Sequence, residues 1–134
     1  YITDRAHKEV LTSPFFNTRI ENMNERIKDM ENAIKNGDLN KVGKLSELDS
    51  LELHSITMTG KNRHVLFTPE SIRVIKEVQK LREERIPAYF SMQTGPSVFI
   101  DTYHEYSEEI EDRLKKMSLP VIKSKVGEGV KIID

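Results

Sequence analysis

The feature that most constrains the fold of this 134-residue chain is a pair of short apolar segments joined by four small residues. Ala88-Tyr-Phe-Ser-Met92 and Val98-Phe-Ile-Asp101 have the length and the aromatic and β-branched content of strands. Thr94-Gly95-Pro96-Ser97 between them carries residue types that favour tight turns. A β-hairpin is therefore predicted, whose apex would offer backbone N–H groups and two hydroxyls to an anion. A plain turn without a ligand is the alternative.

Helical periodicity dominates the rest of the chain. Three segments before the hairpin and one after it carry apolar residues at spacings of three and four, which indicates helices with one buried face each. These helices are predicted over residues 16–34, 39–59, 68–81 and 103–117. The faces expected to be buried in the last two are Ile72, Ile75, Val78 and Leu81, then Tyr103, Tyr106, Ile110, Leu114 and Met117.

Further strands are predicted at the chain ends. Tyr1-Ile-Thr3 is strand-like, and Val121-Ile122 and residues 130–133 are expected to form short strands on either side of Gly127-Glu-Gly129. Helices and strands therefore do not alternate strictly. This order favours an α+β fold in which helices cover one face of an antiparallel sheet.

Composition excludes several classes of protein. The 21 basic and 22 acidic residues give no electrostatic case for a nucleic acid or membrane partner. The absence of cysteine removes disulfides and thiolate metal sites. No apolar run approaches the roughly 20 residues that span a bilayer, so a cytoplasmic protein is expected. Residues 1–134 suit one domain, and a start at Tyr1 instead of Met suggests a piece of a longer chain.

Four strings of residues, taken in order, resemble a known family. They are Ala6-His7-Lys8-Glu9 followed by Ser13-Pro14-Phe15-Phe16, Leu51-Glu-Leu-His54-Ser55 with Thr57-Met-Thr-Gly60, Tyr89-Phe-Ser-Met92, and Thr94-Gly95-Pro96-Ser97-Val98. Nearly the whole chain resembles the C-terminal domain of the diphosphomevalonate, phosphomevalonate and bisphosphomevalonate decarboxylases. These enzymes belong to the superfamily of galactokinase, homoserine kinase and mevalonate kinase. The resemblance implies a ferredoxin-like α+β domain.

The resemblance also implies a reaction of the mevalonate pathway of isoprenoid synthesis. In the family, ATP phosphorylates the tertiary hydroxyl of a 3-hydroxy acid, phosphate departs, and CO2 is lost to leave an alkene. The family supplies an Asp as the base just before the small-residue turn, and that position here is Gln93. Thr94, Gly95 and Ser97 would shape the substrate pocket, and Arg5 and Ser13 are the other candidate substrate-binding residues.

Gln93 departs from the family pattern, because a glutamine amide cannot accept a proton at neutral pH although it can hydrogen-bond to a substrate. Three interpretations follow. The enzyme could act on a mevalonate whose 3-hydroxyl is already phosphorylated, it could phosphorylate without eliminating as a mevalonate 3-kinase does, or position 93 could be altered or misaligned. The decarboxylase-like flanking sequence favours the first interpretation.

Structural roles compete with the functional ones at several residues. Arg5 could hold a carboxylate in two parallel hydrogen bonds or be a solvated surface residue. Ser13 suits a helix N-cap better than a ligand contact. His54, on a leucine-rich helix, is typical of a hydrogen-bonded interior histidine. His7, His64 and His104 are expected at the surface, and no metal site is predicted.

No Gly-rich phosphate-binding loop is present in the sequence. By the resemblance, ATP and Mg²⁺ would bind through an N-terminal domain absent from this chain, so the segment alone would be inactive, and homodimers are common in the family. A non-catalytic interaction module is the alternative from another class. An enzyme half predicts a polar cavity lined by Arg5, Ser13, Gln93 and Ser97, whereas an interaction module predicts an exposed apolar patch.

Overall fold

A computed structural model describes residues 2–129 as five α-helices and one β-hairpin. The helices are α1 (Ile2–Glu9), α2 (Phe16–Lys35), α3 (Leu39–Thr59), α4 (Pro69–Glu83) and α5 (Ser107–Lys116). The strands are β1 (Ala88–Met92) and β2 (Val98–Thr102), and 3-10 turns occupy Val10–Thr12 and His104–Tyr106. The predicted α+β class with an antiparallel sheet is confirmed, and the sheet formed by the described residues has two strands.

Local capping chemistry sets the helix boundaries. The Asp38 carboxylate accepts a hydrogen bond from the Lys41 backbone N–H at 2.9 Å and caps α3. Gly37 precedes it with φ of +64°, a backbone conformation that favours glycine. At α4, Thr68 and Ser71 exchange hydrogen bonds between side chain and backbone in a capping box. These ends agree with the sequence predictions.

One face of the hairpin covers the main hydrophobic core. Phe90 lies opposite Ile100 and Met92 opposite Val98, so these side chains share a face. They pack with Ala88 against the buried faces of α4 and α5. The buried members from these helices are Val74, Ile75, Val78, Leu81, Ile110 and Leu114. Because a two-stranded sheet is marginal alone, this packing and the contacts of α3 hold the hairpin in place.

The structure bears on two of the three strands predicted at the chain ends. Ile2 and Thr3 lie in α1, so the strand-like interpretation of the N-terminus is wrong there, and Tyr1 lies outside the described residues. The helix docks through Ala6, which is buried, and α1 contacts α3. Val121-Ile122 is not a strand: Val121 packs at the edge of the core while Ile122 is exposed. Residues 130–133 lie outside the described residues.

The apolar stripe of α2 is the other point of disagreement. Helix α2 was predicted to have one buried face, but it packs mainly on α3, and Ile20, Ile27 and Ile34 are exposed. Arg19, Arg26 and Asp29 of α2 make polar contacts with α3. Ile72 and Tyr103 also differ from the prediction. Both were expected on the buried faces of their helices, and both are exposed.

Candidate active site

Helix α3 runs along the edge of β1 that does not pair with β2. The Phe90 N–H donates to Glu47 Oε1 at 3.1 Å, and the Met92 N–H donates to Ser50 Oγ at 2.9 Å. Strand-edge N–H groups need partners when they are buried. Side chains of α3 thus take the place of a third strand and fix β1 up to the residue before Gln93.

The close approach of α3 to β1 depends on Gly43. A β-carbon at this position would lie 2.0 Å from Cγ of Tyr89, well inside any permitted contact. The Tyr89 hydroxyl donates to Asn40 Oδ1 at 3.0 Å, and burial raises the pKa of this hydroxyl. Arg82 lies 5.4 Å from the Tyr89 ring centroid and donates to Glu47 and to the Ala88 carbonyl. Contacts from α3 and α4 therefore hold both the Tyr89 side chain and the backbone at the start of the hairpin.

His54 occupies the next position along the same face of α3. Its side chain is 1% exposed and stacks on Phe67, with ring centroids 4.1 Å apart. Among the described residues, neither ring nitrogen has a hydrogen-bond partner of ordinary geometry. Burial lowers the pKa of His54, and the nearby Gln93 backbone opposes that shift in part. The imidazole is therefore neutral at neutral pH and lies next to the Gln93 main chain.

Gln93 begins the loop between the strands and lies at the edge of a groove. The groove has a volume of about 360 Å³ and lies between α2, α3 and the hairpin. Its lining combines apolar and polar side chains: Met23, Arg26, Ile27, Met30, Leu45, Ser46, Asp49, Ser50, Ser91, Met92, Gln93 and Phe99. The Gln93 amide can donate and accept hydrogen bonds there, but it supplies no base.

The charged residues beside this groove are paired with one another. Arg26 donates to both carboxylate oxygens of Glu52 at 2.6 and 2.7 Å, and these hydrogen bonds raise the arginine pKa. Arg19 lies 2.7 Å from Asp49 and 3.2 Å from Glu52. Because two arginines share two carboxylates, the cluster is balanced in charge. It joins α2 to α3, and it leaves no excess positive charge for an anionic substrate.

The candidate residues of the turn share one loop. Gln93, Thr94, Gly95 and Ser97 lie between β1 and β2, and Gln93, Gly95 and Ser97 are exposed. A β-carbon at Gly95 would have no atom within 4 Å, and its φ lies outside the left-handed region. The fold of this chain therefore does not itself require glycine at position 95. The expected approach of a ligand to its backbone stays a prediction.

Ser13 and Arg5 lie apart from that loop. Ser13 is buried, bonds to Thr59 Oγ1 at 2.7 Å and accepts from the Phe15 N–H at 3.1 Å, just before α2 begins. Thr59 is five residues beyond His54 on α3, about 7.5 Å along the axis. Arg5 is exposed on α1. The groove beside Gln93 includes neither residue, nor Ser97, so it differs from the cavity expected from sequence.

Glu47, Ser50 and His54 were not among the candidate site residues. Sequence offered one signal for them, since small polar residues and a histidine interrupt the leucines of α3. Their spacing of three and four residues places them on one helical face. Only the docking of β1 against that face shows what they contact.

The family resemblance implies that ATP and Mg²⁺ bind through an N-terminal domain. Within residues 2–129 there is no cluster of three or more His, Asp or Glu side chains placed to hold a metal ion. The sequence also lacks a Gly-rich phosphate loop.

None of the helices within residues 2–129 has the length and apolarity needed to span a membrane.

Comparison with known proteins identifies the domain type. A family model described as the mevalonate 5-diphosphate decarboxylase C-terminal domain matches residues 3–132. The phosphomevalonate decarboxylase of Haloferax volcanii is 36% identical over 133 residues, which are 98% of this chain and 41% of that protein. The mevalonate 3,5-bisphosphate decarboxylase of Thermoplasma acidophilum is 32% identical over 116 residues, or 82% of this chain and 27% of that protein.

Solved structures agree with this assignment. A complex of the protein MDDEF with MVAPP, AMPPCP and magnesium matches with a TM-score of 0.76 and 26% identity, covering 81% of this chain and 34% of that one. The chain thus spans less than half the length of these relatives. Since the family model matches nearly the whole sequence, the chain belongs to the mevalonate 5-diphosphate decarboxylase C-terminal domain family.

Proposed function

We propose that this chain forms the C-terminal half of the active-site cleft in a mevalonate-pathway enzyme that decarboxylates a phosphorylated mevalonate. The observation that carries the proposal is the similarity over 98% of the chain to a phosphomevalonate decarboxylase. The partner half would be an N-terminal domain in the same polypeptide. Cytoplasmic location and assembly as a homodimer are part of the same proposal.

Gln93 points to mevalonate 3,5-bisphosphate as the substrate. If the 3-hydroxyl already carries phosphate, no base is needed to activate it. The C3–O bond then breaks as phosphate leaves, and the electrons of the C1–C2 bond form the C2–C3 double bond as CO2 departs. A relative named for this substrate is 32% identical over 82% of the chain, which supports the choice.

The residues of this chain would act by positioning. Gln93 is exposed at the beginning of the 93–97 loop, where its amide can hydrogen-bond to a substrate oxygen. Backbone N–H groups and the hydroxyls of Thr94 and Ser97 can donate to an anionic group. Holding the substrate in one orientation would keep the breaking C1–C2 and C3–O bonds aligned for the elimination.

ATP and Mg²⁺ would enter only through the N-terminal domain. If the enzyme consumed ATP, those groups would supply the phosphoryl group and neutralise its charge. Residues 2–129 contain no cluster of three or more His, Asp or Glu side chains placed to hold a metal ion, and the sequence has no Gly-rich phosphate loop.

A mevalonate 3-kinase is the second candidate, because it shares the fold and transfers phosphate without eliminating it. ATP-dependent decarboxylation of mevalonate 5-phosphate is also open, since the Haloferax volcanii relative is named a phosphomevalonate decarboxylase. A non-catalytic interaction module is the candidate from another class, and the exposed apolar residues Ile20, Ile27 and Ile34 on α2 favour it.

One experiment separates these activities. The full-length protein is given mevalonate 3,5-bisphosphate without ATP, and separately mevalonate 5-phosphate with ATP and Mg²⁺, while CO2 and ADP are counted. We expect CO2 from the bisphosphate alone. ADP without CO2 from the monophosphate would indicate a 3-kinase, and both products from it would indicate ATP-dependent decarboxylation. No product from either substrate would leave the interaction module.

A further inference from the structure

We propose that His54 is a positioning residue that holds the Gln93 main chain through its imidazole N–H. The inference rests on the proposed function, because it concerns the loop that would face the substrate. Three observations carry it: the burial of the ring, its two unused nitrogens, and its place next to Gln93.

The two unused nitrogens are the first part of the argument. A buried polar atom without a hydrogen bond costs free energy, and native structures contain few of them. His54 has two, within the part of the chain that the structure describes. An apolar residue that stacks on Phe67 would fill the space without that cost. A histidine at this position therefore needs a reason beyond packing.

The alignment of α3 with β1 indicates which group the imidazole serves. Glu47 accepts from the Phe90 N–H and Ser50 accepts from the Met92 N–H, one after the other along the strand. His54 is the next residue on that helical face, one turn beyond Ser50, and Gln93 is the first residue after β1. The backbone of Gln93 is close enough to raise the pKa of the imidazole, against the lowering by burial.

The neutral ring carries one N–H donor and one acceptor nitrogen. The Gln93 carbonyl would accept from that donor. The two groups lie outside ordinary hydrogen-bond geometry in this structure, so the contact is a loose one. Hydrogen bonds at active sites are often loose before ligand binds. His54 would thus set the direction in which the Gln93 amide leaves β1.

Substitutions that keep or remove the donor test this role. His54→Leu and His54→Phe keep an apolar body against Phe67 and remove the N–H, whereas His54→Gln keeps an amide donor. Two apolar variants are included because a phenyl ring is larger than an imidazole, whereas a leucine side chain is not planar and packs differently on Phe67. Ser71→Ala is the matched control: Ser71 is equally buried, but its hydrogen bonds are confined to Thr68.

The measurements are amide hydrogen exchange of residues 94, 95 and 97, and kcat and KM for the bisphosphate, all on the full-length protein. In His54→Leu or His54→Phe we expect exchange in this loop to rise about tenfold and kcat to fall about tenfold. His54→Gln should restore most of both. Ser71→Ala should lower the unfolding midpoint without changing either quantity.

A purely structural histidine predicts a different pattern. An apolar variant would then be as stable as the wild type or more so, with unchanged exchange at residues 94–97 and unchanged kcat, and that result would overturn the proposal. If the wild-type enzyme turns over neither substrate, the proposed function fails, whereas the exchange comparison still decides whether His54 holds the loop.

Discussion

Gly43 of α3 lies so close to the ring of Tyr89 in β1 that no side chain larger than hydrogen fits at position 43. A β-carbon on Gly43 would come 2.0 Å from Cγ and 2.4 Å from Cδ2 of that ring. This contact determines how near α3 comes to the strand edge. The hydrogen bonds that Glu47 and Ser50 accept from β1, and the position of His54 beside Gln93, depend on the same approach.

The first prediction follows from this contact. Gly43→Ala should lower the free energy of unfolding by about 3 kcal/mol, because the added methyl group must displace a buried ring. Gly95→Ala is the control, since it meets open space and should change stability by about 0.5 kcal/mol or less. Urea unfolding of the two variants measures both. Similar stability losses in the two variants would contradict the assigned role of Gly43.

Removal of Glu47 should weaken the attachment of β1 to α3. Its carboxylate accepts from the Phe90 N–H at 3.1 Å and from Arg82 at 2.5 Å. Glu47→Ala leaves both donors without this acceptor and should cost about 2 kcal/mol of unfolding free energy. Glu47→Gln keeps an acceptor oxygen and should cost less. Glu31→Ala, at an exposed pair with Lys35, should cost about 0.5 kcal/mol or less. Equal losses for Glu47→Ala and Glu31→Ala would refute the assignment.

Asp101 should make folding sensitive to pH. Burial raises the pKa of this carboxyl above its usual value of 3.8. The folded state therefore holds the proton more tightly than the unfolded state does. The tighter proton binding stabilises the folded protein fully below pH 3.8. This contribution to the free energy of unfolding is lost as pH rises through the pKa of Asp101 in the folded state.

Asp101→Asn removes that ionisation. We expect the variant to be more stable than the wild type at pH 7, with the difference shrinking toward pH 3.5. Urea midpoints at several pH values would measure it. Asp112→Asn, at an exposed position on α5, controls for the change of charge. A difference for Asp101→Asn that does not vary with pH would contradict the prediction.

Arg85 offers a stabilising substitution. It follows α4 with φ of +67°, and its N–H donates to the Arg82 carbonyl at 3.0 Å. The left-handed conformation is costly for residues with a side chain and is the usual place for glycine after a helix. Arg85→Gly should therefore raise the unfolding free energy by about 1 kcal/mol. Lys80→Gly, inside α4, should lower it by about 1 kcal/mol. A loss of stability in Arg85→Gly would show that the arginine side chain matters more than the backbone.

Gln93→Asp tests the catalytic position in the full-length protein. A carboxylate there could accept the proton of the tertiary hydroxyl, and general bases contribute about 100-fold or more to rates. We expect ADP formation from mevalonate 5-phosphate and ATP to rise by up to about 100-fold. Gln93→Asn, which supplies no base, is the control. Gln93 is exposed, so neither change should affect folding. An unchanged rate in Gln93→Asp would argue against a base at this position.

The hairpin and the four long helices could be predicted from sequence because their signals are local. Asp38, Thr68 and Pro69 mark helix starts through their own side chains, and their predicted caps are observed. The N-cap predicted at Ser13 is wrong, because the N-cap of α2 is Phe15, which makes no side-chain cap hydrogen bond. The family resemblance likewise depended on short strings in order, and it located Gln93. The helix α1 was missed, since its short segment begins with a β-branched residue and its contacts, the buried Ala6 and the hydrogen bonds of Glu9 with Asn62 and His64, are tertiary.

The sequence by itself determined the order of the hairpin and the four longer helices, the starts of α3 and α4, and the family. The tertiary structure decided which face of α3 is buried. Leu48 and Leu51 are 45% and 47% exposed, while Gly43, Ser50, His54 and Thr57 are buried. The spacing of apolar residues predicts which face of a helix could bury apolar area, but it does not show which hydrogen bonds a face makes. The β1 edge requires close approach and polar partners, so small and polar residues of α3 face it, and this pairing places His54 next to Gln93.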